Sequence, residues 1–456
     1  MKPLALELND RALSFARGGL VLSSAPSAVF DGSSAEPAGT NAWSALRRQP
    51  TSISTRHLSQ VSTQDAASAR AVALLSAELA QHLAKNPAQP DERVWIAVPA
   101  RAEAEGLGTV LGIAQGLGLT VDGFVDAAAV TVASLKTSRN AIVLEVGLHH
   151  AAATSVESTG QARRRRAVVS DQGGLVELDQ AWLAFMSTAM VKRTRFDPFT
   201  NAVTEQQLAD VLPALTRQAA ESGSTTAAVS NGDARFEVSL TRDQFAEAAQ
   251  PFYRELVRLL HLMRPAGAEV TLVIPEAVAA FPGFREMLEQ FVGCELVCVP
   301  EGFAASATSL LDLPEAQPGD PIRLLRRLPL SREQPELAAG VTRQILGRES
   351  AGAGAPSHVL FEGRAFSLSG STLVVGRAPG GAPAITLPDG LAGVSRRHCT
   401  FLRDGDELVL IDHSNYGTFV NGERVAERVR IHVGDRVRVG EPGIELSLIS
   451  IGEVAS

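Results

Sequence analysis

Over residues 1–312, short apolar runs alternate with longer stretches in which apolar positions recur every three or four residues. The runs LALEL (4–8), VWIAVP (94–99), AIVLEVG (141–147), VTLVIP (270–275) and ELVCVP (295–300) predict strands. Between them, AASARAVALLSAELAQHLAK (66–85) and TRDQFAEAAQPFYRELVRLLHLM (241–263) carry the spacing of amphipathic helices. Strands alternating with helices define an α/β region. From His358 onward the texture changes to short alternating runs, among them VLFEG, TLVVGR, TFVNGERV and IELSLISI, separated by turns containing Gly, Asp and Asn. Several short strands at this spacing indicate an all-β sandwich or barrel. LPEAQPGDP (313–321) and RESAGAGAPS (348–357) are rich in Pro, Gly, Ala and Ser and read as linker. They bracket IRLLRRLPL (322–330), where Arg323, Arg326 and Arg327 sit among leucines. That pattern suits an added strand, a docking peptide or a basic amphipathic helix.

Length supports this modular division, since 456 residues exceed what one ordinary core organises. With 45% hydrophobic and 20% charged residues the chain has the composition of a folded globular protein. A formal net charge of −8 argues against broad binding to nucleic acid or to an anionic membrane, because both require a basic field. The first residues, MKPLALELND, reach Glu7 and Asp10 before any long apolar run, unlike a signal peptide. The most apolar stretch, AAAVTVASL (127–135), is far shorter than the roughly 20 residues of a membrane helix. Three cysteines, Cys294, Cys298 and Cys399, form no disulfide pattern, so reduced thiols and a cytoplasmic location are expected. Cys294 and Cys298 lie in an apolar run without further ligands nearby and read as core, and no metal site is expected.

The chemistry concentrates in four ordered blocks: Val375-Gly376-Arg377; Val394-Ser395-Arg396-Arg397-His398; the run 412–422, DHSNYGTFVNG; and Val433-Gly434-Asp435. A guanidinium with hydroxyl and backbone N–H donors on loops at one end of a rigid sandwich is what a phosphate dianion requires. The four blocks, in this order and spacing, resemble the forkhead-associated (FHA) family over residues 357–452. The resemblance implies a sandwich that recognises phosphothreonine on a partner protein. It places Arg377 and Ser395 on the phosphate and Arg396 beside it, with Asn415, Tyr416 and Thr418 on the loop that engages the peptide. It gives His398 a bracing role and assigns Gly376 and Gly417 to turns. Tyr416 stands where the family usually has an Asn that bonds the peptide backbone, and Asn415 is the amide available to replace it.

More faintly, residues 1–312 resemble the actin-like ATPase fold in its DnaK-type heat-shock-chaperone form. LALEL stands at the first phosphate strand, AIVLEVGLHHAAATSV at the second phosphate hairpin, and VTLVIPEAVAAFPGF at the adenosine turn. The nucleotide in that fold is held by glycine-rich turns that let backbone N–H groups approach phosphate. Here the first loop reads Glu7-Leu8-Asn9-Asp10-Arg11 and the second Glu145-Val146-Gly147-Leu148-His149-His150, while Pro275-Glu276 replaces the Gly-Gly turn. Glu7, Asn9, Asp10, Glu145, Gly147, Pro275 and Glu276 are therefore vestigial nucleotide-loop positions, and a body without ATP hydrolysis is expected. His149 and His150, adjacent and facing opposite ways, read as turn residues. Arg163–Arg166 reads as a solvated hairpin turn, or as a contact for an acidic or phosphorylated partner.

The expected organisation is thus an actin-like body (1–312), a linker with a short basic-apolar segment (313–356) and an FHA sandwich (357–452). The expected function is a phosphothreonine-dependent adaptor under the control of a Ser/Thr kinase, with a pseudo-ATPase body and no cofactor. One alternative is an ATP- and Mg-binding DnaK-like switch targeted by its FHA domain. Another is an actin-like scaffold of a bacterial division, pilus or secretion assembly.

Overall fold

The computed structural model describes residues 3–449 apart from 33, 35, 62–65, 103, 136, 138, 266–267, 315–321, 331–340, 347–355, 362–363, 369, 371, 382, 389–392, 405–406, 421–422, 432–434 and 441–442. The chain divides into two compact units, Met1–Gly347 and Arg348–Ser456.

The first unit is built on two large sheets with one repeated topology. In the first sheet, Leu4–Leu8, Ala12–Arg17 and Leu20–Pro26 form an antiparallel meander. Arg93–Val98 then pairs parallel to Leu4–Leu8, and Thr120–Asp126 parallel to Arg93–Val98. In the second sheet, Ala141–Val146, Ala151–Ser158 and Gln161–Ser170 form the meander. Thr271–Pro275 and Glu295–Val299 follow as successive parallel strands. All five strands expected from apolar runs are present, and nearly every residue in them is buried, as central strands covered on both faces require. The helices that follow the last parallel strand of each sheet, Ala127–Leu135 and Phe303–Thr308, pack against each other in a shared core with Val143, Val273 and Val297.

Three differences from the sequence expectation have simple physical causes. The helical pattern at 241–263 divides into Arg242–Ala248 and Gln250–Met263 at Ala249. Pro251 sits in the first turn of the second helix, where its missing N–H costs nothing, and Thr241 with Gln244 forms a capping box on the first. The segment at 322–330 belongs to the first unit as added strands: Arg323–Leu325 extends the first sheet and Arg327–Pro329 the second. Thr342–Ile345 closes the far edge of the second sheet, so the first unit continues well past Asp312. The arginine run is not a turn but part of the strand Gln161–Ser170, bulged between Arg164 and Arg166. Arg164 points inward to Asp126 at 2.6 Å, Arg165 pairs with Glu157 at 2.5 Å, and Arg166 is exposed.

The second unit is a β-sandwich. One sheet has the order Arg364–Ser367, His358–Phe361, Ile444–Ile449, Arg436–Val439, Thr418–Val420, Glu423–Arg424. The other has the order Ala384–Thr386, Thr372–Gly376, Cys399–Asp404, Glu407–Asp412, Arg428–Ile431. Alternate residues of both, including Val375, Phe401, Leu410, Val437 and Leu446, form one core. Cys294, Cys298 and Cys399 are buried and unpaired. No described helix is long and apolar enough to cross a membrane.

Candidate functional site

At one end of the sandwich three loops meet, two of them joined by a single buried side chain and the third held by backbone hydrogen bonds. Arg377 follows the strand Thr372–Gly376; its N–H donates to the Ser395 carbonyl at 3.3 Å, and that of Ala378 donates to the Arg396 carbonyl at 3.0 Å. His398, fully buried, accepts the Ser395 N–H on Nδ1 at 3.1 Å. Its proton therefore resides on Nε2, which donates to the Gly417 carbonyl at 3.2 Å. Burial holds His398 below the usual histidine range and keeps it in this neutral form, although the Gly417 contact works the other way. The bracing role expected for His398 is thus a physical link between the 394–398 and 412–418 loops.

Gly376 lets these loops approach. A Cβ there would overlap the Arg396 carbonyl oxygen and lie 2.8 Å from its carbon and 3.0 Å from the His398 nitrogen. Gly417 has φ of 100°, a region that favours glycine.

The 412–418 loop is fixed from within by Asp412, which the sequence reading left without a role. Its Oδ1 accepts from the Ser414 N–H at 3.0 Å and the Thr418 hydroxyl at 2.7 Å, and Oδ2 accepts from the Thr418 N–H at 3.3 Å. Burial opposes ionisation of this carboxyl, but these donors outweigh it and hold it below the usual range. The Ser414 hydroxyl accepts from the Gly417 N–H at 2.8 Å. Thr418 is fully buried, so its expected place on the peptide-facing surface is corrected: it braces the loop from beneath. Asn415 and Tyr416 project instead, Tyr416 with 65% of its surface exposed.

Arg377 and Arg396 are exposed and Ser395 is half-buried beside them. The fold adds a third guanidinium: Arg424 is exposed, with Nε packed over Gly417. It comes from the strand Glu423–Arg424, paired to Thr418–Val420, and no motif pointed to it. Among the described residues no carboxylate pairs with Arg377, Arg396 or Arg424. Asn421, Gly422, Val433 and Gly434 of the motif blocks lie outside the described residues.

In the first unit, Glu7, Asn9, Glu145 and Pro275 border one cavity, and Asp10 meets Gly147 separately. Glu7 accepts from the Ala305 N–H at 3.2 Å, and burial raises its pKa despite that bond. Glu145 accepts from the Ala100 N–H at 3.1 Å; burial, with Asp126 and Glu7 nearby, pushes it up to about 8. Asn9 uses its side chain to accept the Arg11 N–H at 3.0 Å. Pro275 ends its strand and Glu276 opens the short helix Glu276–Ala279. Gly147 belongs to the turn after Ala141–Val146, its N–H donating to the His150 carbonyl at 2.9 Å, and buried Asp10 lies against that turn. The cavity bordered by Glu7, Asn9, Glu145 and Pro275 measures about 80 Å³. His149 bonds Thr55 through Nε2 at 3.0 Å while His150 faces Asp10, so the two histidines do not converge. Among the described residues no group of three or more His, Cys, Asp or Glu is placed to hold a metal ion.

Comparison with known families meets this geometry at the second unit. The model of the FHA domain matches residues 373–440, the span that carries Arg377, Ser395, Arg396, His398, the 412–418 loop and Arg424. The chain therefore contains an FHA domain, a module of phosphothreonine-dependent protein binding. No curated protein matches the chain.

Proposed function

We propose that this protein is an adaptor that binds phosphothreonine on a partner protein through the loop end of its FHA domain, and that its first unit is a non-enzymatic body. The observation that carries the proposal is the set of exposed guanidinium groups at this loop end, none paired with a carboxylate among the described residues. Arg377 and Arg396 are exposed beside loops already fixed by His398 and Asp412, and Arg424 is exposed on the adjoining strand Glu423–Arg424. A phosphorylated threonine brings a charge of about −1.5 to −2 and three acceptor oxygens, which match fixed guanidinium and hydroxyl donors. Asn415 and Tyr416 are placed to meet the flanking peptide. The partner on this reading is a Ser/Thr kinase substrate.

For the body, the repeated sheet topology supports an actin-like fold of the DnaK type. The residues at its loops do not fit ATP with magnesium. The cavity of about 80 Å³ is well below the ~300–1,000 Å³ of typical ligand pockets, and Glu7 and Glu145 occupy backbone N–H donors themselves.

The test is binding of the full chain to a degenerate phosphothreonine peptide library by fluorescence anisotropy. Phosphorylated peptides should bind in preference to plain ones, and Arg377→Ala should weaken binding at least tenfold. Loss of one charge-assisted contact is worth roughly 1.5–3 kcal/mol. Equal binding of both peptide sets would refute the reader. Calorimetry with ATP and magnesium should show no binding, and a micromolar affinity would refute the reading of the body.

A further inference from the structure

We infer that the turn 147–150 is a built oxyanion site, and that the protein fills it with its own Asp10 carboxylate, in the place where a phosphate-sized anion would otherwise sit. This deepens the reading of the first unit as nucleotide-independent and rests on it. It names what occupies the anion-binding backbone between the two sheets.

Asp10 follows the first strand of the first sheet, whereas the turn joins the first two strands of the second sheet. Its Oδ1 accepts from the Leu148 N–H at 3.0 Å and its Oδ2 from the His149 N–H at 3.2 Å. The partners are 138 and 139 residues away, so this is no local turn motif. Consecutive N–H groups aimed at one anion form the kind of concavity that binds phosphate. His150 Nδ1 stands 3.3 Å from Oδ2, at ion-pair distance but without an aligned hydrogen bond, and is otherwise unpartnered in a buried setting. Asp10 is only 4% exposed. Burial alone would raise its pKa, yet His150 and the two N–H groups hold it below the usual carboxylate range.

The site is shaped by groups other than the carboxylate as well. From behind, the carbonyls of Gly147 and Leu148 accept from Leu175 and Val176 at 3.0 and 2.9 Å, at the start of the helix Leu175–Thr194. Two glycines make room: a Cβ on Gly174 would lie 2.7 Å from the His149 carbonyl carbon, and one on Gly147 would overlap Asp10 Oδ1. A cavity of about 140 Å³, lined by Leu8, Val98 and Val110, reaches Asp10 and His150, so a small anion has a path to the turn once the carboxylate is shortened. The two sheets are consequently fastened by an internal anion, with no exogenous ligand required.

The experiment is thermal denaturation of full-length wild type and Asp10→Gly in inorganic phosphate, against sodium chloride of equal ionic strength. Asp10→Gly should melt lower. Phosphate at ten times its dissociation constant should raise the variant's Tm by on the order of 2 °C more than it raises that of wild type. Any phosphate held by the second unit is common to both chains and cancels in that difference. If the variant gains no more than wild type, the inference is overturned. Should Asp10→Gly not fold, Asp10→Asn keeps the size but replaces one acceptor by a donor. Amide exchange at Leu148 and His149 should then quicken at least tenfold, and unchanged exchange overturns the inference. ATP binding to wild type would sink only the nucleotide-independent reading, so the two failures are distinguishable.

Discussion

Gly376→Ala tests the architecture of the proposed phosphothreonine site without removing any group that would touch a ligand. The new methyl overlaps the Arg396 carbonyl and presses on the His398 nitrogen, and both are backbone, with no flexible side chain to swing aside. Relief requires the 394–398 loop to move on the order of an ångström. Overpacking of this kind costs roughly 1–3 kcal/mol. The movement also strains the bonds from Arg377 to Ser395 and from Ala378 to Arg396, each worth about 1 kcal/mol. A total of roughly 2–4 kcal/mol should lower the Tm of the second unit by at least about 10 °C. Because Ser395 and Arg396 move away from Arg377, affinity for phosphothreonine peptides should fall by about tenfold to a hundredfold. Gly370→Ala is the control, since a Cβ there meets nothing within 4 Å. Calorimetry and peptide anisotropy on the two variants read both effects. A Gly376→Ala protein that melts and binds like Gly370→Ala would refute the claim that loop approach at Gly376 builds the site.

Two further outcomes concern titration. His398 is held below its unfolded pKa of about 6.5, so its contribution to stability is complete above that value and is lost as pH falls beneath it. Protonation of Nδ1 would break the bond from Ser395, so a pH series of melts should show a larger acid-dependent loss in wild type than in His398→Gln, where His413 still titrates in the same unit. Glu145 is the opposite case: with its folded pKa at about 8, the folded protein keeps a proton that the unfolded chain releases above about 4.5. Stability from this group is therefore lost as pH rises through that window, by up to a few kcal/mol. Glu145→Gln should be close to neutral at pH 4.5 and clearly stabilising at pH 8.5 by denaturant titration. A constant difference between the two proteins across that range would contradict the assignment.

Several features were decided by the sequence acting locally. The apolar runs at 4–8, 94–99, 141–147, 270–275 and 295–300 became central strands, because continuous apolar character has no other favourable place than between two covering layers. Arg377, Ser395 and His398, which the motif blocks singled out, lie together at one loop end, since the order of strands and turns in a small sandwich fixes which loops share an end. The strands Ala12–Arg17, Leu20–Pro26 and Thr342–Ile345 were not legible, and an added strand at 322–330 was only one of three readings, where two short strands form. Leu20–Pro26 and the short strands lie at sheet edges, where exposure removes the pattern that marks burial.

Tertiary structure alone settled the pairings. Arg164 became a half-buried partner of Asp126 instead of one charge among four, Thr418 turned inward to Asp412, and Arg424 was carried beside Gly417 by its cross-strand neighbour. Asp10 shows the reason most clearly. Its acidity is written in the chain, but the N–H groups that satisfy it lie 138 and 139 residues away, and only the closing of one sheet against the other brings them within hydrogen-bonding distance.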